Sequence, residues 1–187
     1  MNDLEDRHVT ASNYERLELV AFLGALCLFF ATIEYLFPKP FPFFRLGLAN
    51  LPVLIALEIL PGSYVLLLVL LKVLGQGLIN GTLASYVFLF SLAGSFSSAL
   101  VMLGAHRAFR GYISLLGVSV LGALASNVVQ IYLSVTFIFG RSAWVIAPVF
   151  LGLGLGSGVF VGVFALHFVR HSRWYRRVHA YHVPQET

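Results

Sequence analysis

The residues of this chain that could do chemistry are charged and amide side chains set inside long apolar segments. Lys72, Gln76 and Asn80 recur at intervals of four, so on an α-helix they share one face. A cation and two amides are costly in lipid, and we therefore expect them to point into a protein interior. There they can pair with the charged or amide groups of a small ligand.

Five more polar residues lie in or beside the other apolar segments: Glu34, Arg45, Asn50, Asn127 and Gln130. Glu34 ends the first apolar segment close to the outer surface, and Arg45 and Asn50 open the second on the same side. All eight residues can converge on one polar pocket that opens to the exterior. The alternative is a set of hydrogen bonds between helices, with an ion pair from Glu34 to Arg45 or Lys72, that holds the protein together.

Aromatic residues near the same segments could cover the apolar part of a ligand: Phe43, Phe44, Tyr86, Phe88 and Phe90. Membrane interfaces and protein cores also collect aromatic side chains. The sequence leaves both uses open.

The composition of the chain indicates which type of fold positions these residues. The 187 residues are 59% hydrophobic and 11% charged, with a mean hydropathy of +0.88, which excludes a soluble domain with a polar surface. Inside a membrane every backbone N–H and C=O needs an internal partner, and continuous apolar runs rather than alternation favour helices. We predict an all-α integral membrane bundle of six transmembrane helices, over residues 17–37, 46–60, 62–80, 85–106, 113–139 and 144–170. The second run is short for a crossing.

Charge places these helices in the membrane. With six crossings, one side of the membrane carries eight basic residues: Arg7, Arg16, Arg107, Arg110, Arg170, Arg173, Arg176 and Arg177. The other side carries three: Lys39, Arg45 and Arg141. The positive-inside rule then predicts a cytoplasmic-membrane protein with both termini in the cytoplasm. The domains are a tail at 1–16, a six-helix domain at 17–170 and a basic tail at 171–187. Because the basic residues flank apolar segments, we expect no nucleic-acid partner.

The remaining motifs argue against catalysis and metal binding. The only aspartates are Asp3 and Asp6, so there is no paired-aspartate motif to hold magnesium against a diphosphate. His167 and His171 have no evident third ligand, and we expect neither a metal nor a cofactor. Glycines at 154, 158 and 162 follow no strand and indicate close helix packing rather than a nucleotide loop.

Two stretches carry a resemblance: Arg45-Leu-Gly-Leu-Ala-Asn50-Leu-Pro52, and Phe90-Ser-Leu-Ala-Gly94 followed by Ser98 and Met102. Together with Asn127 and Gln130 they make residues 30 to 135 resemble the Gx transporter family, also called heptaprenyl diphosphate synthase component I. This sequence departs from the family pattern at three positions. Arg45 stands where a lysine is usual, Lys72 where an arginine is usual, and Ser126 where a histidine is often found. The family is similar to the S components of energy-coupling factor (ECF) transporters, six-helix proteins that bind small vitamins or precursors.

The resemblance implies a membrane substrate-binding subunit, not an enzyme, that takes up a vitamin-like or an isoprenoid- or quinone-precursor-like molecule. Its partners would be the lipid bilayer and ECF-type transmembrane and ATPase subunits, with Ala21 and Ala25 as a docking ridge. The alternative is a non-catalytic membrane accessory of prenyl diphosphate or quinone synthesis, or of flavin-linked electron transfer. A stand-alone transporter is a third interpretation.

Overall fold

Helices make up almost all of the structure, a computed structural model that describes residues 2–36, 47–109 and 112–182. Within these ranges there is no β-strand, and seven α-helices follow one another. They are α1 (Asn2–Leu36), α2 (Leu51–Ile59), α3 (Gly62–Ile79), α4 (Tyr86–Ala108), α5 (Leu115–Ser134), α6 (Ala143–His171) and α7 (Arg173–His182). A 3-10 turn at Leu48–Asn50 leads into α2, and a π-helical turn at Val135–Phe139 extends α5.

Five helical segments of the described chain are long and apolar enough to cross a membrane: Asn13–Glu34, Gly62–Ile79, Tyr86–Ala108, Leu115–Phe139 and Trp144–His171. The prediction of an all-α membrane protein is therefore confirmed. Six crossings are not, because the second predicted segment forms only the nine-residue α2. A helix of that length is about 14 Å long, roughly half the hydrocarbon thickness.

Where the structure describes them, residues 2–16 and 171–182, the tails predicted at the two ends are largely helical. Helix α1 begins at Asn2 and continues without a break into its apolar part. Helix α7 lies within the basic segment predicted at 171–187.

Helices α1 and α3 run parallel. The Tyr64 hydroxyl donates to Asn13 Oδ1 at 3.0 Å, and further along, Gly75 packs against Leu28. Two parallel neighbours require the chain to return to the first end of the bundle between Leu36 and Gly62. The 3-10 turn and α2 make the last part of that return.

Helices α3 to α6 run alternately up and down. The start of α3 meets the end of α4 where Gly62 lies against Arg107, and Gly94 of α4 lies against Gln130 of α5. The predicted breaks at Pro61 and at Asn80 with Gly81 are confirmed. Gly81 has φ +64°, and the bonds from Gly81 N–H to Leu78 O and from Thr82 N–H to Gly77 O form the Schellman motif that closes α3.

Helix α2 occupies the centre of the bundle. Every residue from Leu51 to Ile59 is buried except Glu58, as expected for a helix that is apolar on all sides. Pro52 stands in its first turn, where a missing N–H breaks no hydrogen bond. Glu58 Oε1 lies 3.8 Å from His106 Nδ1 of α4, a partner that the sequence did not reveal.

Helices α5 and α6 approach closely through the predicted glycine ridge, and that interpretation is confirmed. A Cβ on Gly158 would lie 3.0 Å from the Cα of Val120, and one on Gly162 would lie 2.8 Å from the Cα of Leu116. The Ser119 hydroxyl donates to Gly158 O at 2.8 Å across this contact.

Helix α7 folds back over the end of the bundle at which α1 begins. The Trp174 ring lies 5.5 Å from the Phe22 ring, and Tyr175 is buried in the main core. Burial, and then the nearby charge of Glu58, raise the pKa of the Tyr175 phenol above its usual 10.0. Helix α7 therefore lies at the same end of the bundle as Asn13 and Tyr64.

Candidate binding site

The centre of the site is Lys72, about 15 Å along α3 from Gly62 at the helical rise per residue. Its side chain is only 4% exposed, and its ammonium donates to Asn50 Oδ1 at the end of the 3-10 turn. A buried ammonium loses its hydration, so a structure that keeps it must supply polar partners.

A buried carboxylate is held at the other end of the same turn. Glu34 is 5% exposed, and the Gly47 N–H donates to its Oε1 at 3.3 Å. Gly47 has φ +76°, a conformation that side chains other than glycine rarely adopt. Gly47 O in turn accepts from Asn50 N–H at 2.8 Å. One short turn thus joins an acidic residue of α1 to a basic residue of α3.

Helix α5 brings two amides to the opposite wall. Asn127 Nδ2 donates to Phe150 O of α6 at 2.7 Å, and Gln130 Nε2 donates to Ser126 Oγ at 3.1 Å. The absence of side chains at Gly154 and Gly94 makes room for these amides. Each amide uses one of its two N–H donors within the protein, and an amide has a second N–H and a carbonyl oxygen for other partners.

These walls enclose a cavity of about 90 Å³. Its lining is mostly polar or small: Ala31, Glu34, Gly47, Ala49, Asn50, Lys72, Gln76, Asn80, Ser91, Ser95, Ala123, Ser126, Asn127, Gln130, Phe150, Gly154 and Ser157. Glu34 and Asn80 stand at the ends of α1 and α3, which places the cavity in the half of the bundle away from α7. A second space of about 20 Å³ lies deeper, beside Leu54 and Met102.

One buried polar atom on this lining lacks a hydrogen bond to the described part of the chain. It is Oε1 of Gln76, whose side chain is 8% exposed. A buried acceptor without a partner is rare in native proteins and costs about 1–3 kcal/mol. A donor from a water or a ligand in the cavity would satisfy it.

Seven of the eight residues predicted from the sequence line this one cavity: Glu34, Asn50, Lys72, Gln76, Asn80, Asn127 and Gln130. The eighth, Arg45, lies outside the described residues. The structure therefore brings together residues from four predicted segments. It also forms interhelical hydrogen bonds with some of them, as the alternative interpretation expected.

Of the aromatic residues that could have covered a ligand, those that the structure describes do not line this cavity. Tyr86 is exposed on the surface of the bundle, and Phe88 and Phe90 pack elsewhere in the protein. Phe43 and Phe44 lie outside the described residues. Phe150 of α6 supplies the aromatic side chain of the lining.

The sequence reasoning missed the hydroxyls of the site. Ser91 and Ser95 come from α4, Ser126 from α5 and Ser157 from α6. Serine is common on the contact faces of membrane helices, so its presence alone gives no signal. The spacing of four between Ser91 and Ser95 is the one cue that could have placed α4 beside the cavity.

Other candidate residues lie away from the cavity. Ala21 and Ala25 are exposed along α1. His167 and His171 stack with their ring centroids 4.3 Å apart at the exposed end of α6. Among the described residues, no three His, Cys, Asp or Glu side chains group together as metal ligands.

Comparison with known proteins adds one finding. No curated protein and no solved structure matches the chain. A family profile described as heptaprenyl diphosphate synthase component I matches residues 23–168, which is well over half of the chain and includes the whole cavity lining. The resemblance to that family, read from the sequence, is confirmed, and the chain belongs to the heptaprenyl diphosphate synthase component I family.

Proposed function

We propose that this protein is the membrane-embedded substrate-binding subunit of an importer similar to ECF transporters. A small molecule, a vitamin or a precursor in the isoprenoid or quinone class, enters the cavity, and a separate ATPase module supplies the energy. The protein binds and does not make or break bonds.

The observation that carries this proposal is the burial of Lys72 on the wall of a polar cavity. A charged ammonium within a membrane is expensive even when it has polar partners, and intramembrane charges commonly mark sites that handle a substrate or an ion. Hydrogen bonds that served only to hold helices together would leave no acceptor unused, yet Gln76 Oε1 has no partner in the described chain. A ligand that fills the cavity accounts for both features.

The proposal includes six crossings with both termini in the cytoplasm. The parallel packing of α1 and α3 supports a return passage between them, of which the structure describes residues 47–60, and the contacts of α7 bring that helix to the end where α1 begins. Arg16, Arg107 and Arg170 lie toward that end, which favours the cytoplasmic side. The cavity then faces the exterior.

The cavity offers little for prenyl diphosphate chemistry. Glu34 is the one carboxylate among its described lining residues, whereas a diphosphate leaving group needs clustered carboxylates to hold magnesium.

The small exposed face of Ala21 and Ala25 on α1 is suited to close contact with another membrane helix. We assign that face to a transmembrane partner of the importer.

The family description favours a second candidate. A protein named as component I of a synthase implies another component, and this chain could be its non-catalytic membrane accessory. Recovery of the tagged protein from native membranes separates the two functions. An ATPase pair in the purified complex supports import, and a prenyl synthase or flavoprotein supports the accessory role.

A second experiment tests the cavity itself. The wild-type protein, purified in mild detergent, should retain a small molecule detectable by mass spectrometry. Lys72→Ala and Asn127→Ala should lose it. Leu71→Ala is the matched control, because Leu71 lies next to Lys72 on α3 but is exposed on the outside of the bundle. Retention by all four proteins would show that the cavity assignment is wrong.

Transport assays complete the test. Uptake into proteoliposomes should require the ATPase partners and ATP. Uptake by the isolated chain without ATP would instead establish a stand-alone transporter. It would refute the proposal that this chain only binds the substrate while a separate ATPase module supplies the energy.

A further inference from the structure

We propose that α7 is a binding surface for anionic phospholipids, and that its arginines hold lipid phosphate groups at the end of the bundle where α1 begins. This inference does not depend on the function proposed above. It follows from the two faces of α7, from the charges around it and from its position at the membrane surface.

Helix α7 has a basic face and an apolar face. Arg173, Arg176 and Arg177 are spaced by three and four residues, so they share one side of the helix, and all three are exposed. The opposite side carries Tyr175, which is buried in the main core, and Val178, which packs against that core. The protein therefore covers the apolar face of α7 and leaves the basic face for another partner.

The basic face continues onto the end of α6. Four exposed arginines gather there: Arg170, Arg173, Arg176 and Arg177. The chain has no aspartate or glutamate between Glu58 and Glu186, so helices α3 to α7 supply no counter-charge. Like charges this close repel one another, and an anion from outside the protein would relieve that repulsion.

The described acidic residues at this end of the bundle do not neutralise the arginines. Glu58 lies 3.8 Å from His106 and beside Tyr175, on the buried side of α7. Glu15 and Glu18 are exposed on α1. Within the part of the chain that the structure describes, no arginine side chain of the basic face forms an ion pair with any of them.

Helix α6 brings this basic face to the level of the lipid headgroups. Its membrane-crossing part, Trp144–His171, has 28 residues and is therefore about 42 Å long, which matches a bilayer with its headgroup regions. Only Ser172 separates α6 from α7. Trp174 contacts Phe22, which is 49% exposed on α1, and tryptophan is favoured at membrane interfaces.

The chemistry of the face fits phosphate. A guanidinium group donates two parallel hydrogen bonds to a phosphate, which an ammonium group cannot do. Each basic residue near an anionic membrane strengthens association by about fivefold. An acidic protein surface has the same sign of charge, but it would have to displace the lipid headgroups that already lie at the level of α7. We therefore assign the face to lipid.

The experiment measures lipid binding to the full-length protein in mild detergent. Phosphatidylglycerol, which is anionic, and phosphatidylcholine, which has no net charge, are titrated with the same acyl chains, and bound lipids are counted by native mass spectrometry. We expect phosphatidylglycerol to bind more tightly by about tenfold or more, and high salt to reduce this preference. Equal affinities overturn the inference. So does competition by soluble glycerol 3-phosphate that matches the lipid, since the face would then bind free phosphate compounds.

Variants assign the preference to α7. The triple variant Arg173→Gln, Arg176→Gln and Arg177→Gln should lose about tenfold or more of the preference for phosphatidylglycerol, and the corresponding triple lysine variant, which keeps the charge, should retain most of it. Ala180→Gln is the matched control, because Ala180 is exposed on the same side of α7 and its replacement removes no charge. Thermal unfolding without added lipid should give equal midpoints for all of these proteins.

Two further results would contradict the inference. An unchanged lipid preference in the triple glutamine variant would place lipid binding elsewhere on the protein, and an equal loss in Ala180→Gln would show that charge is not its cause. If the triple glutamine variant keeps the lipid preference but no longer recovers a protein partner from native membranes, the basic face is a protein interface and the assignment to lipid is wrong.

Discussion

Replacement of Gly162 by alanine tests whether the close approach of α5 and α6 holds the bundle together. A methyl group built on Gly162 would lie 2.8 Å from the Cα of Leu116 and 3.2 Å from the Cβ of Ser119. Carbon atoms in contact normally sit roughly 3.5–4.0 Å apart. The nearest atom belongs to the backbone and cannot rotate away, so the two helices must separate by about 1 Å where they meet.

The expected cost follows from two opposing effects. Overpacking a filled contact costs about 1–3 kcal/mol, and alanine regains up to about 1 kcal/mol of helix propensity over glycine. The net loss for Gly162→Ala is therefore up to about 2 kcal/mol. For a chain of this length each kilocalorie lowers the unfolding midpoint by about 2–4 °C.

Gly156→Ala is the matched control on the same helix. A Cβ at Gly156 would meet nothing within 4 Å, so the methyl group adds helix propensity without a collision. We expect no loss of stability and a gain of up to about 1 kcal/mol. Thermal unfolding in one detergent, followed by the fluorescence of Trp144 and Trp174, compares the two variants with the wild type. Equal midpoints for Gly162→Ala and Gly156→Ala would refute the packing argument.

Three further predictions concern single residues. Tyr175→Phe should be less sensitive to alkaline pH than the wild type. The folded-state pKa of the Tyr175 phenol is raised above its usual 10.0, so the wild type loses stability as the pH rises above 10. The variant has no phenol to titrate and should not show this loss. The test compares the unfolding midpoints of the two proteins at pH 8 and pH 11, and an equal fall contradicts it. Cys27, which is fully buried, should react with a maleimide in denatured but not in native protein; rapid native labelling, read by mass, would show that α1 packs differently. Gly47→Ala and Gly81→Ala should each lower the free energy of unfolding by about 1 kcal/mol, because both glycines have positive φ. Only Gly47→Ala should also change ligand affinity in a binding titration. Equal affinities of the two variants would show that the turn at Gly47 does not shape the site.

The features that the sequence predicted well are those with a large energetic cost. Lys72, Gln76 and Asn80 share a face of α3, and the cost of exposing them to lipid left a protein interior as their expected place. The ends of α3 were equally predictable, since proline at 61 and glycine at 81 restrict the backbone in ways that few structures accommodate. Strong local constraints of this kind carry over into the fold.

The course of the chain before α2 was less predictable. The second apolar run has the composition of a crossing, but only nine residues of it form α2. The turn before it depends on the contacts of Gly47 with Glu34 and of Asn50 with Lys72, which join residues far apart in the sequence. Apolar composition cannot distinguish a short helix buried on every side by protein from a longer one that faces lipid.

The place of the aromatic residues was left open by the sequence for a related reason. Tyr86, Phe88 and Phe90 satisfy the same hydrophobic preference in lipid, in the core or against a ligand, so their spacing does not choose between these places. Phe150 lies in the cavity lining because the glycines of α6 allow that helix to approach α5. This close approach depends on both helices together, so the sequence around Phe150 alone does not predict it.

Interhelical hydrogen bonding and ligand binding are compatible interpretations of the polar residues, because different atoms can make the two kinds of contact. Asn127 Nδ2 and Ser119 Oγ donate to backbone carbonyls of α6 and join the helices. These bonds fix Asn127 and Ser119 against α6, while Gln76 Oε1 takes no such bond in the described chain. A protein that only needed to hold its helices together would gain stability by replacing Lys72 and Gln76 with leucine. The buried ammonium and the unused acceptor on one face of α3 therefore support the binding function proposed above.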